Sequence, residues 1–195
     1  EPLSIAVHAA AVSRLKLGDR ALVVGAGTIG LLLVQVLKAA GVTELIVSDL
    51  DEGKLEVARK LGATCTVCPA KEDLAAVVAA RTGGRGADIA FEAVGVSATL
   101  NSAIDNVRMN GSVVMVGNVS QKVDFPLQKC VTCQISLQGS CASSGEYDVC
   151  LEMIRHGLID TGSIISKVAP LREGGSWFDR LHAMEPGLIK VVLEP

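Results

Sequence analysis

The stretch ALVVGAGTIGLLLVQ, Ala21 to Gln35, decides the fold. Small and branched apolar residues run into a turn carrying three glycines, and a long apolar run follows. Gly25, Gly27 and Gly30 fit the pattern G-x-G-x-x-G, with a predicted strand before it and a predicted helix after it. Gly25 permits the tight turn, Gly27 lets a backbone approach a pyrophosphate, and Gly30 lets the helix pack on the strand. The first amides of a helix starting at Thr28 and Ile29 point at whatever sits on the turn, with a partial positive charge behind them.

Outward from the turn, strand and helix alternate. Strands are predicted at Arg20–Val24, Glu44–Val47, Ala63–Val67, Ala87–Phe91 and Ser112–Val116. Helices are predicted at Thr28–Ala40, Glu52–Leu61, Glu72–Arg81 and Ser97–Arg108. Regular alternation means parallel strands with crossover helices on both faces. Leu3 to Val12 form an apolar face on a leading helix that Gly18 ends. Beyond Gly117 the rhythm changes. Asn118–Lys129 is polar and contains Pro126, Ile135–Gln138 is a last strand with an apolar exposed edge, and Gly145–His156 is a helix. The tail follows with Ile164–Val168, a helix near Trp177–Ala183 and a strand at Ile189–Leu193. The expected fold is α/β, a doubly wound parallel sheet of Rossmann type with a C-terminal extension. Its parts are a leading helix (1–17), the dinucleotide-binding domain (18–140) and the extension (141–195).

Asp49 ends the second strand about 20 residues after the turn, where a carboxylate accepts hydrogen bonds from a ribose. The same charge repels a 2′-phosphate, which favours NAD over NADP. Lys54, one helical turn further, reaches toward the same ribose or lies on a solvated helix face. For Asp49 the bland alternative is a turn residue or a cap before the following helix. Methyltransferases place a similar glycine loop and acid, and S-adenosylmethionine stays open as a rival ligand.

Bulk properties exclude other classes. The net charge is −3 over 195 residues, with acids and bases interspersed, so no basic stripe for nucleic acid is expected. Mean hydropathy is high at +0.43, yet charges such as Lys38, Asp49 and Lys54 interrupt every apolar run, so no membrane partner is expected. Six cysteines without a secretory signal predict reduced thiols and a cytoplasmic location. Glu1 is not Met and opens directly into a helical pattern, which predicts a piece of a longer protein. Cys65-x-x-Cys68 and Cys130-x-x-Cys133 raise a four-thiolate zinc site, but strand residues three apart point to opposite faces, so buried free thiols are expected. His8, His156 and His182 read as packing or helix-end residues, and Trp177 and Phe178 as the apolar face of a helix.

The stretches EPLSIAVHA, VVGAGTIGLL, VSDLDEGKLEVARKLGA, GADIAFEAVG, GSVVMVGN and WFDRLHAMEPGLIKVVLEP span nearly the whole chain. In order and spacing they resemble the cofactor-binding half of the zinc-dependent medium-chain alcohol dehydrogenases, in particular the polyol branch of sorbitol and galactitol-phosphate dehydrogenases. The resemblance implies a catalytic domain preceding Glu1, with the family's zinc ligands and its structural zinc lobe. It implies that Glu1 matches an acid at the catalytic zinc. It implies that Val94, Val116, Gly117 and Asn118 line the adenine side and the nicotinamide, and that Lys190 lies near the pyrophosphate. It further implies hydride transfer between NAD and a secondary alcohol of a polyol or sugar phosphate, the C-terminal extension packed on the catalytic domain, and a homodimer or homotetramer. A threonine dehydrogenase of the same family and a non-catalytic NAD-binding module stay open beside it.

Overall fold

The computed structural model describes all residues from Glu1 to Pro195. A leading helix α1 (Pro2–Val12) precedes β1 (Arg20–Val24), α2 (Thr28–Ala39), β2 (Glu44–Ser48), α3 (Glu52–Leu61) and β3 (Cys65–Val67). Then come α4 (Leu74–Thr82), β4 (Ala87–Glu92), α5 (Ser97–Asn106), β5 (Val107–Met115), α6 (Leu127–Thr132) and β6 (Ser136–Gly139). The tail holds α7 (Tyr147–Arg155), β7 (Ile165–Pro170), α8 (Gly174–His182) and β8 (Lys190–Glu194). The first six strands form one parallel sheet in the order β3-β2-β1-β4-β5-β6. The chain starts in the middle, winds outward through β2 and β3, and then returns to β4. That leaves a crevice between β1 and β4 above their carboxyl ends, the place where doubly wound sheets bind ligands.

Strand alternation divides the core between two faces. Ala21 and Val23 pack with α1, α2 and α3, while Leu22 and Val24 pack with α4 and α5. Leu31 to Val34 and Leu37 are buried almost completely, which explains why the predicted helix is apolar on nearly every side. Gln35 is the buried exception on this helix. Its amide takes Asp160 N–H on Oε1 at 2.6 Å and donates to Asp160 O at 3.1 Å, tying the tail to α2. β7 and β8 pair only with each other, as a second parallel sheet.

Several expectations are corrected. The leading helix stops at Ser13, which turns extended and gives its N–H to Ala10 O; Gly18 serves a later turn against Gly41. The helix expected to reach Arg108 ends at Asn106, and β5 begins at Val107. Arg108 is drawn into the sheet by Asp88, with Nε 2.6 Å from Oδ1, a long-range contact that periodicity cannot report. Helix α6 lies in the stretch read as polar and irregular; it is six residues long and buries only Cys130. β6 is the outer strand, but its exposed residues are Gln138 and Gly139 while Ile135 is buried, so the edge is not apolar. Phe178 is 70% exposed, and only Trp177 of that pair packs inward, beneath the Arg180 guanidinium.

Asp88 locks β1 to β5. Burial alone would raise its pKa, but the hydrogen bonds from Arg108 and from Arg20 N–H outweigh this and hold it below the usual carboxylate value. A depressed folded pKa stabilises the fold above the unfolded value of about 3.9 and loses that contribution as pH falls through the lower folded value. Urea unfolding between pH 6 and pH 2 should therefore show an acid-side loss of stability that is shallower in Asp88→Asn. Identical slopes would remove Asp88 from this role.

Candidate functional site

The site is built on the glycine turn. Gly25 has φ +101°, and a Cβ there would come within 2.7 Å of Val94 Cγ2, so the turn and the β4 loop touch. Gly30 packs its backbone on the Gly25 carbonyl, 1.8 Å from where a Cβ would stand. Gly27 is different. It is the N-cap of α2, and a Cβ there would face open space. The N–H groups of Gly27, Thr28, Ile29 and Gly30 find no backbone partner, and they form the open positive end of α2.

Asp49 stands beside this row. Its Oδ2 accepts Ala26 N–H at 2.6 Å, inside the glycine turn, and its Oδ1 accepts Asp51 N–H at 2.9 Å. The cap of α3 is not Asp49 but Asp51, whose carboxylate takes Gly53 and Lys54 N–H. Asp49 therefore does not cap α3, and its bond to Asp51 N–H is the turn contact that the bland alternative also allowed. Lys54 Nζ lies 3.8 Å from Asp51 Oδ2, within the first turn of α3. Thr28 Oγ1 donates to Ile189 O at 3.2 Å, which brings the start of β8, and with it Lys190, to the N-terminus of α2.

On the other side of the turn lies a cavity of about 650 Å³. Ile29 from α2, Val94 from the β4 loop, and Val116, Gly117 and Asn118 from the β5 loop line it together. Its volume and mainly apolar lining are those of a small-molecule site. A buried carboxylate organises it. Glu92 accepts N–H from Val94 at 2.9 Å and from Gly95 at 2.8 Å, and its carbonyl takes Val116 and Gly117 N–H. Gly117 leaves no room for a side chain, because a Cβ would stand 2.2 Å from Gly95 N. Sequence reading missed Glu92 as an organiser and missed Ile5, Ser140, Cys141 and Ala142 as cavity walls. Glu92 was within the quoted FEAVG stretch, whereas nothing in the spacing of 140–142 connects it to the turn.

The two cysteine pairs do not come together as a four-thiolate cluster. Cys65 is in β3, and Cys68 donates to Leu50 O at 3.7 Å; Cys130 sits in α6, where burial pushes its thiol up. No three His, Cys, Asp or Glu side chains converge to hold a metal ion. Glu1 is exposed at the N-cap of α1. His8 pairs with Glu146 at 2.6 Å, and His156 lies 3.4 Å from Glu152 at the end of α7. No helix is long and apolar enough to cross a membrane.

The family model described as zinc-binding dehydrogenase matches residues 28–156. Sorbitol dehydrogenase of Bacillus subtilis is 31% identical over 197 residues, covering 100% of this chain and 56% of its own length. The crystal structure of 2R,3R-butanediol dehydrogenase from Bacillus subtilis superposes with a TM-score of 0.91 at 31% identity, covering 100% of this chain and 56% of that one. A zinc-binding dehydrogenase from Sinorhizobium meliloti bound to NADP superposes at 0.90 with 28% identity, covering 100% of this chain and 58% of that one. The chain spans about half the length of the curated relatives it matches.

Proposed function

Because this chain belongs to the zinc-binding dehydrogenase family, we propose that it is the cofactor-holding part of an oxidoreductase acting on a secondary alcohol of a polyol or sugar phosphate. The observation that carries the proposal is the pairing of the unpartnered amides Gly27 to Gly30 with the fixed Asp49 carboxylate. Amides at a helix N-terminus suit a pyrophosphate, and an acceptor-only carboxylate suits a pair of ribose hydroxyls. Gly27 provides the close approach, Lys190 supplies a cation beside the pyrophosphate, and Lys54 a second contact near the ribose. Ile29, Val94, Val116, Gly117 and Asn118 hold the nicotinamide end in the cavity beyond.

In this reading the bound cofactor supplies the hydride acceptor. The chain's own work is to fix both ends of the dinucleotide and to exclude water from the ring with the apolar walls of the cavity. Asp49 selects NAD over NADP, because a 2′-phosphate would be held against its charge. The residues present do not make a zinc site. Glu1 would give one ligand, and the others would come from outside these residues. The unpaired main chain of β6 is the edge on which two copies would pair into a homo-oligomer. The location proposed is the cytoplasm.

Titration of the chain with NADH and NADPH, followed by cofactor fluorescence, tests the reading. NADH is expected to bind at least about tenfold more tightly, a difference of about 1.4 kcal/mol. Equal affinities would overturn the role of Asp49. Binding of neither, with binding of S-adenosylmethionine instead, would overturn the reading altogether.

A further inference from the structure

Two walls of the cavity come from parts of the chain far apart in sequence. Ile5 belongs to α1, whereas Ser140, Cys141 and Ala142 belong to the loop between β6 and α7. His8 lies one turn beyond Ile5, on the same side of α1. Glu146 is the N-cap of α7 and ends the loop. His8 Nδ1 lies 2.6 Å from Glu146 Oε1, and both side chains are about 85% buried, with 16% and 14% exposed. An ionised carboxylate only accepts, so the ring donates from Nδ1. The other carboxylate oxygen takes Ser144 N–H, back inside the loop. That loop needs holding: Ala142 has φ +54°, a left-handed conformation that costs an alanine about 1 kcal/mol or more. The hydrogen bond from His8 also holds the Glu146 carboxyl below its usual range, so it stays an acceptor at neutral pH.

We infer that His8 and Glu146 are a positioning pair that clasps α1 to the β6–α7 loop and so sets the width of the cavity in which the nicotinamide end of the cofactor lies. The inference rests on the dinucleotide reading above. The clasp makes no hydrogen bond on the adenine side: Asp49 accepts from Ala26 and Asp51 N–H, and Glu146 accepts only from His8 and Ser144. Its loss should therefore weaken ligands that fill the cavity and spare those that stop at the pyrophosphate.

The test compares NADH with ADP-ribose, which lacks the nicotinamide, by calorimetric titration of the full chain. Glu146→Ala and His8→Leu are each expected to weaken NADH about tenfold and to leave ADP-ribose within about twofold. The double variant should be no worse than either single one, because both remove the same contact. Glu146→Gln, whose amide oxygen can keep Ser144 N–H while its NH2 donates to Nδ1 of the other His8 tautomer, should recover most of the NADH affinity. Where Glu146→Ala loses its fold, His8→Leu alone carries the same comparison. NADH affinity unchanged in all variants, or NADH and ADP-ribose weakened in parallel, would overturn the clasp while leaving the dinucleotide reading intact. A wild-type chain that binds neither ligand would overturn both.

Discussion

Gly30→Ala should abolish NADH binding and lower the melting temperature, whereas Gly27→Ala should weaken binding and leave the melting temperature unchanged. The added methyl at position 30 would stand 1.8 Å from Gly25 O and 2.8 Å from Gly25 C. Both atoms are backbone, so no rotamer can relieve the clash. The first turn of α2 must move off the strand, and the row of amides moves with it. Overpacking of this kind costs about 1–3 kcal/mol, or several degrees in a chain of this size. NADH affinity should fall at least about a hundredfold, since the pyrophosphate loses several aligned donors at once. At position 27 the methyl meets nothing in the protein, and φ of −70° suits alanine. It would stand only in the path of the ligand. Thermal unfolding and NADH titration on both variants separate the two effects. Gly30→Ala binding NADH like the wild type would show that the turn is not where the dinucleotide lies.

The contrast between these two glycines marks what the sequence could say. Spacing identified all three glycines, the strand before them and the helix after them, because local periodicity and turn chemistry determine each. It also located Asp49, because the second strand must end beside the first in a doubly wound sheet. What Asp49 holds was not legible: its bond to Ala26 N–H joins residues 23 apart, and the choice between Asp49 and Asp51 as cap depends on backbone angles. The same limit explains α6 and the start of β5. A six-residue helix with a single buried residue carries almost no periodic signal. Arg108 enters the sheet because of Asp88, a partner on another strand. The walls at 140–142 and the pair His8–Glu146 depend on how the tail folds back over α1, a contact spanning 138 positions. Periodicity describes elements; it does not describe which loops meet above the sheet.

Asp49→Asn is expected to weaken NADH about a hundredfold or more and to erase most of the preference over NADPH. An ionised carboxylate offers about four acceptor sites. Here two are taken, by Ala26 N–H at 2.6 Å and Asp51 N–H at 2.9 Å, which leaves two for the ribose hydroxyls. Each charge-assisted bond is worth about 1.5–3 kcal/mol, so losing even one pair of them reaches the hundredfold range. An asparagine retains one acceptor oxygen and turns two donors toward amides that also donate. Either the turn or the ribose goes unserved. Removing the charge at the same time removes the repulsion of a 2′-phosphate, so NADPH should lose less than NADH. Asp51→Asn is the control. It touches the cap of α3, where Oδ1 takes Gly53 N–H at 2.8 Å, and should cost at most about 0.5–2 kcal/mol of stability with little change in NADH affinity. Parallel titrations of the two variants with NADH and NADPH decide between a carboxylate that reads the ribose and one that only braces the turn. If Asp49→Asn destabilises the fold but binds both cofactors as before, Asp49 is a brace. The choice between NAD and NADP then lies elsewhere.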